Sequence, residues 1–315
     1  MDRIKVCFVG VGSIAKRHIA NLSAICEIRK IELTIDVLRR NKKNVEENLN
    51  KYVNAVYTDI EKMPKNYDII FLTNPTEFHL DMLRKMHDYG KHFFIEKPLT
   101  SYHKMRDVFD IKYRDSSIYY VACPLRYNSV IQYLKRNLDI SKVISVRCIC
   151  SSYLPNWRPN TDYRKVYSAN KELGGGVSID LIHEWDYLKF LFGNPENVFY
   201  TYGKKSLLEL WCEDYAVYVA EYKNMILELH LDYFGRKTIR EIMVFTDRET
   251  IVGDLVKNQV SYLCAEKKIN LTEEKNDFYK KELNHFLSIV EGNAKCDNGI
   301  FNAYQTLMLT QGEIR

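Results

Sequence analysis

Short apolar runs alternate with helix-period segments through the first 122 residues of the chain. Apolar runs bounded by turn residues are typical of buried strands, whereas apolar positions that recur once per helical turn are typical of helices. We predict a helix at 13–25 and strands at 4–9, 31–38, 55–57, 68–73, 92–95 and 118–122. Strands that alternate with helices form a sheet covered on both faces. Residues 1–122 therefore predict an α/β domain with a doubly wound parallel sheet.

The pattern changes after residue 122. A helix is predicted at 128–136 and a strand at 143–150, followed by a polar, aromatic-rich stretch to residue 171. Segments at 214–222, 225–233, 239–245 and 259–263 then alternate apolar with polar residues, and a helix at 276–291 closes the pattern. Such alternation is typical of antiparallel strands with one solvated face. Residues 123–315 therefore predict an α+β domain with a large open, mostly antiparallel sheet.

Composition and charge exclude several classes of protein. At about 150 residues per domain, 315 residues allow two domains, each with its own core. Lys and Arg number 46 against 41 Asp and Glu, and no block of like charges suggests a nucleic-acid interface. Charged residues near the start and the lack of a long apolar run lead us to expect a cytoplasmic protein without membrane contact. The cysteines form neither a CxxC pair nor a cluster with histidines, and we predict no metal site.

A glycine-rich turn follows the first predicted strand. Gly10, Gly12 and Ala15 form the pattern G-x-G-x-x-A, with Ser13 and Ile14 at the start of the predicted helix. The first glycine permits a tight turn and the second lets the backbone approach a pyrophosphate. The small third residue allows close packing of the helix, whose N-terminus attracts the phosphates. The turn predicts a dinucleotide-binding Rossmann domain; the alternative is an ordinary glycine turn.

The end of the second predicted strand bears on the choice of cofactor. NAD sites usually carry an acidic residue there, which holds the ribose hydroxyls. In this chain Asp36 comes early, and the strand end carries Arg39 and Arg40, whose guanidinium groups suit a 2′-phosphate. We therefore predict binding of NAD(P), with NADP preferred. Two alternatives remain: the arginines are only solvated, or Asp36 is the ribose ligand.

Three further motifs accompany the turn. Thr73-Asn74-Pro75 and then His79 follow the fourth predicted strand, Glu96-Lys97-Pro98 follows the fifth, and glycines at 174–176 precede Asp180 and His183. Over essentially the whole chain these motifs resemble the Gfo/Idh/MocA oxidoreductases. The resemblance implies NAD(P)-dependent chemistry on a sugar or cyclitol, and a homodimer or homotetramer formed through the open sheet. One departure is the spacing: the family usually has D-x-x-x-H, but Asp180 and His183 are three residues apart.

Oxidation of an alcohol needs a hydride acceptor, which the cofactor supplies, and a group that takes the hydroxyl proton. Lys97 is predicted at the carboxyl edge of the parallel sheet, where open α/β folds bind ligands; a nearby cationic nicotinamide would lower its pKa. The alternative is a surface lysine. Glu96 would orient Lys97, and Arg126 would line the cofactor cleft. The predicted cofactor site is Gly10, Gly12, Ser13, Ile14, Arg39, Arg40, Thr73, Asn74, Pro75, His79, Glu96, Lys97 and Arg126.

Together with the glycines before it, the resemblance implies that His183 is a proton relay, with Asp180 as its partner or as an anchor for a substrate hydroxyl. In a single helix through this region, Asp180, His183 and Tyr187 lie within roughly 60° of one another. They lie away from the apolar stripe, so we expect them on a flank that is either solvated or turned toward a ligand. The glycines at 174–176 would let the backbone pass close to that ligand. The stripe comprises Leu181, Trp185, Leu188 and Phe192.

The aromatic-rich stretch before the glycines adds Tyr153, Trp157, Arg158 and Arg164 to the predicted substrate site of Lys97, Asp180 and His183. Aromatic faces stack on sugar rings, and arginine binds carboxylate or phosphate. The stretch is either a specificity loop for a charged or nucleotide-linked sugar or an arm that packs on a neighbouring subunit. The resulting hypothesis is an NAD(P)-dependent dehydrogenase or reductase acting on CH–OH groups. The alternative is a non-catalytic regulatory protein that keeps the fold and senses the cofactor.

Overall fold

The computed structural model describes residues 1–40, 51–171 and 174–314. The chain divides into two compact units. The first contains Met1–Cys123 and Tyr279–Tyr304, and the second contains Pro124–Phe278 and the segment that starts at Gln305. In chain order, the helices of the described ranges are α1 (Ser13–Arg29), α2 (His79–Met86), α3 (Ser129–Asn137), α4 (Val177–Asp180), α5 (Ile182–Phe192), α6 (Asp277–Val290) and α7 (Ile300–Leu309).

The first unit is built on a parallel sheet. Its strands are β1 (Arg3–Val9), β2 (Glu32–Leu38), β3 (Val53–Tyr57), β4 (Tyr67–Leu72), β5 (Gly90–Ile95) and β6 (Tyr119–Val121). They lie in the order β3-β2-β1-β4-β5-β6, and every neighbouring pair is parallel. The order reverses between β1 and β4, which creates a topological switch point where ligands bind at the carboxyl ends of strands. The predicted doubly wound parallel sheet is confirmed.

Helix α1 covers one face of this sheet because its apolar positions recur at helical spacing. Ala15, Ile19, Leu22 and Cys26 are buried, and they belong to one core with Phe8 and other strand residues. Each fully buried side chain of Leu or Phe size contributes about 1.5–3 kcal/mol relative to exposure, so this stripe fixes the helix against the strands. The glycine turn at the N-terminus of α1 is thereby held at the carboxyl end of β1.

A late segment of the chain returns to the first unit. The sequence prediction assigned everything after residue 122 to a second domain, whereas Tyr279–Tyr304 belongs to the unit of the parallel sheet. The physical reason lies in α6, where Leu283, Phe286 and Leu287 are fully buried in the core that also contains Phe71 and Phe94. The ring of Phe286 meets that of Phe94 edge-on, with centroids 5.1 Å apart. The first unit is therefore made from two separate stretches of the chain.

The second unit contains an eight-stranded sheet. Its strands are β7 (Val143–Tyr153), β8 (Asn197–Gly203), β9 (Tyr215–Glu221), β10 (Ile226–Asp232), β11 (Phe234–Thr246), β12 (Thr250–Asp254), β13 (Gln259–Tyr262) and β14 (Lys267–Asn270). They lie in the order β14-β13-β12-β11-β7-β10-β9-β8, and only β7 with β10 is a parallel pair. Alternate residues such as Ala216, Tyr218 and Ala220 face the core. The predicted mostly antiparallel sheet is confirmed.

Strands β8, β12 and β14 of the second unit were not predicted from the sequence. Strands β8 and β14 lie at the two edges of the sheet and leave most of their residues exposed, so they carry no alternating apolar signal. Strand β12 contains Gly253, whose missing side chain leaves room for Val130 of α3. In sequence, Gly253 and Asp254 resemble a turn. The final helix α7 was also absent from the prediction.

The predicted helix through Asp180 and His183 is interrupted. Helix α4 ends at Asp180, Leu181 has a non-helical backbone with φ −95° and ψ 28°, and α5 begins at Ile182. The angular argument that placed Asp180, His183 and Tyr187 on one flank is therefore wrong. Asp180 and Tyr187 are buried, and His183 is half-buried. Trp185 and Leu188 of the predicted apolar stripe are fully buried.

Helix α5 is buried on nearly all sides because its charged residues have partners. Glu184 is fully buried and accepts from the Arg240 guanidinium at 2.6 Å. Asp186 is 1% exposed and faces Arg126. Buried charges are tolerated when they are paired and hydrogen-bonded in this way. No helix within the described ranges has the length and hydropathy of a membrane span.

Candidate active site

The glycine turn lies at the switch point of the parallel sheet. The backbone N–H of Gly10 donates to the Leu38 carbonyl at 2.9 Å, and the Thr73 hydroxyl donates to the Gly10 carbonyl at 2.9 Å. Gly10 has φ +87°, and a Cβ there would lie 2.9 Å from the Cα of Asn74. Only glycine combines this backbone with so close an approach. Gly10, Thr73 and Asn74, which are predicted to bind the cofactor, therefore lie together.

The N-terminus of α1 has the properties of an anion site. Gly12 caps the helix without a side-chain hydrogen bond, and the first turn carries no acidic residue. A Cβ on Gly12 would meet nothing within 4 Å, and Gly12 and Ser13 are exposed. Uncapped backbone N–H groups and the helix dipole favour a phosphate at such a position. The turn thus fits the pyrophosphate of a dinucleotide.

A cavity of about 1080 Å³ opens beside this turn in the first unit. Gly10, Arg39, Arg40, Asn74 and Pro75 line it, so it brings together five of the predicted cofactor residues. The Arg40 guanidinium lies over the Phe78 ring, 5.1 Å from its centroid. The charged residues that complete the lining are Asp59, Asp81, Arg84 and Lys85. The size and chemistry of the cavity suit a nucleotide.

Asp36 is not on the lining of that cavity. It lies in the middle of β2, is 1% exposed, and has a partner on each carboxylate oxygen. The Asn54 amide donates to one oxygen at 2.9 Å and the Tyr67 hydroxyl donates to the other at 2.8 Å. Burial, together with neighbouring anionic groups that include Asp36, raises the pKa of Tyr67 well above its ordinary value. The Asp36 carboxylate is hydrogen-bonded to Asn54 and Tyr67. These contacts do not support the alternative that Asp36 binds a ribose.

The Glu-Lys-Pro motif directly follows β5. The Glu96 backbone N–H donates to the Leu72 carbonyl at 3.0 Å, which extends the pairing of β4 and β5 by one residue. One carboxylate oxygen of Glu96 accepts from the Lys97 backbone N–H at 3.2 Å. Lys97 is half-buried, and the Lys97–Pro98 peptide bond is cis. Lys97 therefore stands at the same edge of the sheet as the glycine turn.

His79 links the turns that follow β4 and β5. Its Nδ1 lies 3.0 Å from the Pro98 carbonyl oxygen, and its Nε2 lies 2.9 Å from the Asn74 carbonyl oxygen. Burial lowers the pKa of His79 below its ordinary value, against the effect of these carbonyl groups. The ring thus connects the turn after β4 with the turn after β5. His79 is not on the lining of the cavity.

His18 is not among the site residues predicted from the sequence. It is fully buried on α1, and its Nε2 lies 2.5 Å from the free carboxylate oxygen of Glu96. A signal was present in the sequence, because His18 falls between Ala15 and Leu22 in the apolar stripe of the helix. A titratable residue at a core position needs a polar partner. That partner is the first residue of the Glu-Lys-Pro motif.

In the second unit, Asp180 is held by two tyrosines. The Tyr167 hydroxyl donates to one carboxylate oxygen at 2.5 Å, and the Tyr233 hydroxyl donates to the other at 3.1 Å. Burial, together with the Asp180 carboxylate, raises the pKa of Tyr233 well above its ordinary value, so it remains a donor. The Trp157 ring meets Tyr233 edge-on, and the Arg158 guanidinium lies over Tyr167. The predicted substrate residues Trp157, Arg158 and Asp180 thus share one cluster.

The glycines that precede α4 serve close packing within the chain. A Cβ on Gly175 would overlap the backbone carbonyls of Tyr167 and Asn170, and a Cβ on Gly176 would overlap the Glu213 carboxylate. Gly176 also has φ +124°, which side-chain-bearing residues rarely adopt. The prediction attributed these glycines to close passage of a ligand. The structure instead uses them to bring the 167–170 segment, with Tyr167, against Asp180.

Three predicted site residues are engaged by neighbouring side chains. Two guanidinium nitrogens of Arg126 donate to Asp186 at 2.6 Å, and Arg126 is 2% exposed. Arg164 donates to Asp162 at 2.9 and 3.1 Å and is exposed. The Arg236 guanidinium covers the Tyr153 ring, 3.9 Å from its centroid. Across residues 1–40, 51–171 and 174–314, no group of three or more His, Cys, Asp or Glu is arranged to hold a metal ion.

Comparison with known proteins gives two family matches. The Gfo/Idh/MocA "oxidoreductase family, NAD-binding Rossmann fold" matches residues 4–123, and its "C-terminal alpha/beta domain" matches residues 140–254. An uncharacterised oxidoreductase, YrbE of Bacillus subtilis, is 24% identical over 223 residues, which is 69% of this chain and 63% of that protein. The chain spans less than two thirds of the length of the curated relatives it matches.

Two solved structures share the fold over nearly the whole chain. UDP-N-acetylglucosamine 3-dehydrogenase GnnA from Acidithiobacillus ferrooxidans has a TM-score of 0.79 at 17% identity, covering 99% of this chain and 96% of that one. The WlbA dehydrogenase from Bordetella pertussis, in complex with NADH and UDP-GlcNAcA, has a TM-score of 0.78 at 16% identity, covering 98% and 95%. With both family matches and this shared fold, the chain belongs to the Gfo/Idh/MocA oxidoreductase family.

Proposed function

We propose that this protein is an NADP(H)-preferring dehydrogenase or reductase that acts on a hydroxyl or keto carbon of a sugar or sugar derivative. One observation carries the proposal: a dinucleotide turn and a half-buried lysine stand at one edge of the parallel sheet, on the turns that follow β1 and β5. Ligands of open α/β sheets bind at that edge. The assignment of the chain to an NAD-binding oxidoreductase family supports the same chemistry.

The residues of the first unit suit the parts of a dinucleotide. The open N-terminus of α1 at Gly12 and Ser13 would bind the pyrophosphate through backbone N–H groups. Arg39 and Arg40, which line the cavity, would pair with a 2′-phosphate and so favour NADP. When bound, the nicotinamide would accept or donate the hydride at its C4 position. The WlbA structure holds NADH, which supports nicotinamide binding in the family but not the preference for a 2′-phosphate.

Lys97 and His183 would manage the proton. Lys97 would hydrogen-bond the reacting oxygen and exchange its proton, acting as a general acid or base. His183, half-buried on α5, is the proposed proton relay of the second unit. Asp180 already accepts from two tyrosines, so it would act by fixing Tyr167 and Tyr233 beside the substrate. These roles extend the predicted catalytic set of Lys97, His183 and Asp180.

A nucleotide-linked or acidic sugar is the proposed substrate class. GnnA is named for UDP-N-acetylglucosamine, and WlbA was solved with UDP-GlcNAcA. In this chain, Trp157 and Arg158 stand beside the cluster around Asp180, and they offer an aromatic face and a cation. The alternative is that the 151–171 stretch packs on a neighbouring subunit.

The test is turnover with a panel of free, acidic and nucleotide-linked sugars, in both directions, with NADPH and NADH followed by absorbance. We expect hydride transfer with at least one sugar class and a higher kcat/KM with NADPH. Binding of NADPH without turnover of any sugar, together with normal cellular function of a Lys97→Ala variant, would favour the regulatory alternative. The half-buried position of Lys97 favours a catalytic role of the protein over the regulatory alternative.

The cofactor preference makes a separate prediction. Replacing Arg39 and Arg40 with serine should weaken NADPH binding by about 10- to 100-fold, the range for lost charge-assisted hydrogen bonds, and leave NADH binding almost unchanged. Fluorescence titration with both cofactors measures this ratio. Lys91→Ser is the matched control, because Lys91 is an exposed cation that is not on the cavity lining. Equal weakening of both cofactors, or a preference for NADH in the wild type, would overturn the preference.

The expected homo-oligomer and the cytoplasmic location remain predictions. For the oligomer, the open face of the second sheet carries half-buried apolar residues, among them Val217, Val219, Met243 and Phe245. We expect a dimer or tetramer by light scattering, and a shift to smaller mass for Val219→Asp because the substitution places a charge on this face. Val256→Asp, at an exposed position, should leave the mass unchanged. A monomeric wild type would contradict the prediction.

A further inference from the structure

His18 occupies an apolar position but makes a polar contact. Its ring is fully buried and meets Phe94 edge-on with centroids 5.1 Å apart, while Phe71 and Tyr279 lie at 6.4 and 6.2 Å. Among the described residues, Nδ1 has no hydrogen-bond partner, and Nε2 faces Glu96 at 2.5 Å. An imidazole in such a cage carries a desolvation cost that an apolar side chain of similar size would avoid. The contact with Glu96 is therefore the feature that distinguishes this histidine from a core residue.

Glu96 uses both carboxylate oxygens to connect two elements. One oxygen faces His18 of α1, and the other accepts the backbone N–H of Lys97. The Glu96 residue is 9% exposed, so few water molecules can replace either partner. A carboxylate oxygen accepts, so this contact is a hydrogen bond when Nε2 of His18 carries the ring proton. Two contacts, His18 to Glu96 and Glu96 to the backbone of Lys97, therefore form a continuous path from α1 to the lysine.

We propose that His18 and Glu96 form a positioning pair that fixes the backbone of Lys97, and through it the direction of the lysine side chain toward the substrate. This inference rests on the proposed function, in which Lys97 exchanges a proton with the substrate. His18 touches neither the substrate nor the cofactor in this proposal and acts only through Glu96. Catalytic groups need such support, because a displacement of about 1 Å costs up to about 100-fold in rate.

The surroundings keep the pair in one arrangement. The Arg17 guanidinium lies over the Tyr279 ring, 4.5 Å from its centroid, and Tyr279 in turn borders His18. Burial raises the pKa of Tyr279, with the Glu96 carboxylate adding to the effect and the Arg17 and Lys97 cations opposing it. Tyr279 therefore borders His18 and is also close enough to Lys97 to be influenced by its charge. With rings on three sides, the imidazole has little freedom to turn away from Glu96.

Two amide variants separate a positioning role from general packing. In His18→Gln the side-chain amide N–H reaches the place of Nε2, whereas in His18→Asn it reaches only the place of Nδ1. We expect His18→Asn and His18→Met to lose about 10- to 100-fold in kcat with little change in KM or in NADPH affinity. His18→Gln should recover most of that loss. Ile19→Val, a trimmed core residue of the same helix, is the control for packing and should keep kcat.

A second measurement does not depend on turnover. The rate at which acetic anhydride acetylates Lys97, relative to exposed Lys91, can be followed by mass spectrometry at one alkaline pH. We expect this ratio to change several-fold in His18→Met and in His18→Asn but not in His18→Gln or Ile19→Val. If the wild type turns over no sugar but the ratio responds in this pattern, the positioning pair stands and the proposed function fails. Equal kcat and equal ratios in the Gln and Asn variants would overturn the positioning pair itself.

Discussion

Replacing Lys97 with methionine is expected to lower kcat by about 10²- to 10⁴-fold, the range for loss of a positioned acid or base. Methionine keeps most of the length of the side chain and removes the amine. The Lys97 backbone N–H still donates to Glu96, so the turn and its contacts to α1 should persist. NADPH affinity should change little, because the dinucleotide turn and the cavity lining do not include the Lys97 side chain. Stopped-flow and steady-state kinetics measure the loss, and titration measures the affinity.

The matched control for Lys97 is Lys91→Met. Lys91 lies on the same strand β5 and is exposed, and its ammonium lies 3.5 Å from a carboxylate oxygen of Asp68. We expect this variant to keep wild-type kcat. A Lys97→Met enzyme with a kcat close to wild type would remove the lysine from the chemistry and with it the central step of the proposed function. A loss of cofactor affinity without a change in kcat would assign the lysine to binding alone.

Replacing Asp186 with asparagine is expected to lower the free energy of unfolding by about 3–5 kcal/mol, because it removes the buried carboxylate charge that pairs with the Arg126 guanidinium. The pair is 1–2% exposed, both contacts measure 2.6 Å, and the Phe190 ring lies beside the guanidinium. Urea denaturation followed by fluorescence measures the change. The pair joins the 124–127 turn to α5, so activity should fall with stability through displacement of His183.

Exposed ion pairs provide the comparison for Asp186. Arg147 and Glu228 lie 3.4 Å apart on the open face of the second sheet, and each side chain is at least half exposed. Arg147→Met should cost only about 0–1 kcal/mol. If Asp186→Asn were no more damaging than Arg147→Met, the buried pair of Arg126 and Asp186 would not stabilise the fold, which would contradict this prediction. The double variant Arg126→Met with Asp186→Leu should be less destabilised than Asp186→Asn, because both members of the buried ion pair are replaced together by apolar side chains.

The sequence was most informative where one local pattern determines structure. The glycine turn after β1 was predictable because the positive φ of Gly10 is a local requirement of the backbone. The parallel strands were predictable because each is a short apolar run. The edge strands β8 and β14 were not, because an exposed edge carries no alternation.

Pairings between distant residues were the part that sequence could not provide. Arg126 was predicted to line the cofactor cleft, and its ion pair with Asp186, sixty positions later, could not be read from the sequence. The glycines before α4 suggested a ligand, yet the groups they approach belong to Tyr167, Asn170 and Glu213. His18 was missing from the predicted site because its partner Glu96 lies 78 residues away in the sequence. In each case the sequence gives the type of residue, but only the folded structure shows which distant residue it contacts.

Because Tyr279–Tyr304 belongs to the parallel-sheet unit, that unit cannot be expressed simply by truncating the chain after residue 123. A fragment cut after Cys123 would expose Phe71 and Phe94 where Phe286 had covered them, and would leave the Cys123 N–H without the Glu282 carboxylate that accepts it at 2.6 Å. Such a fragment should aggregate on expression. A working minimal cofactor-binding fragment must instead splice the late segment back on, for example as a circular permutant.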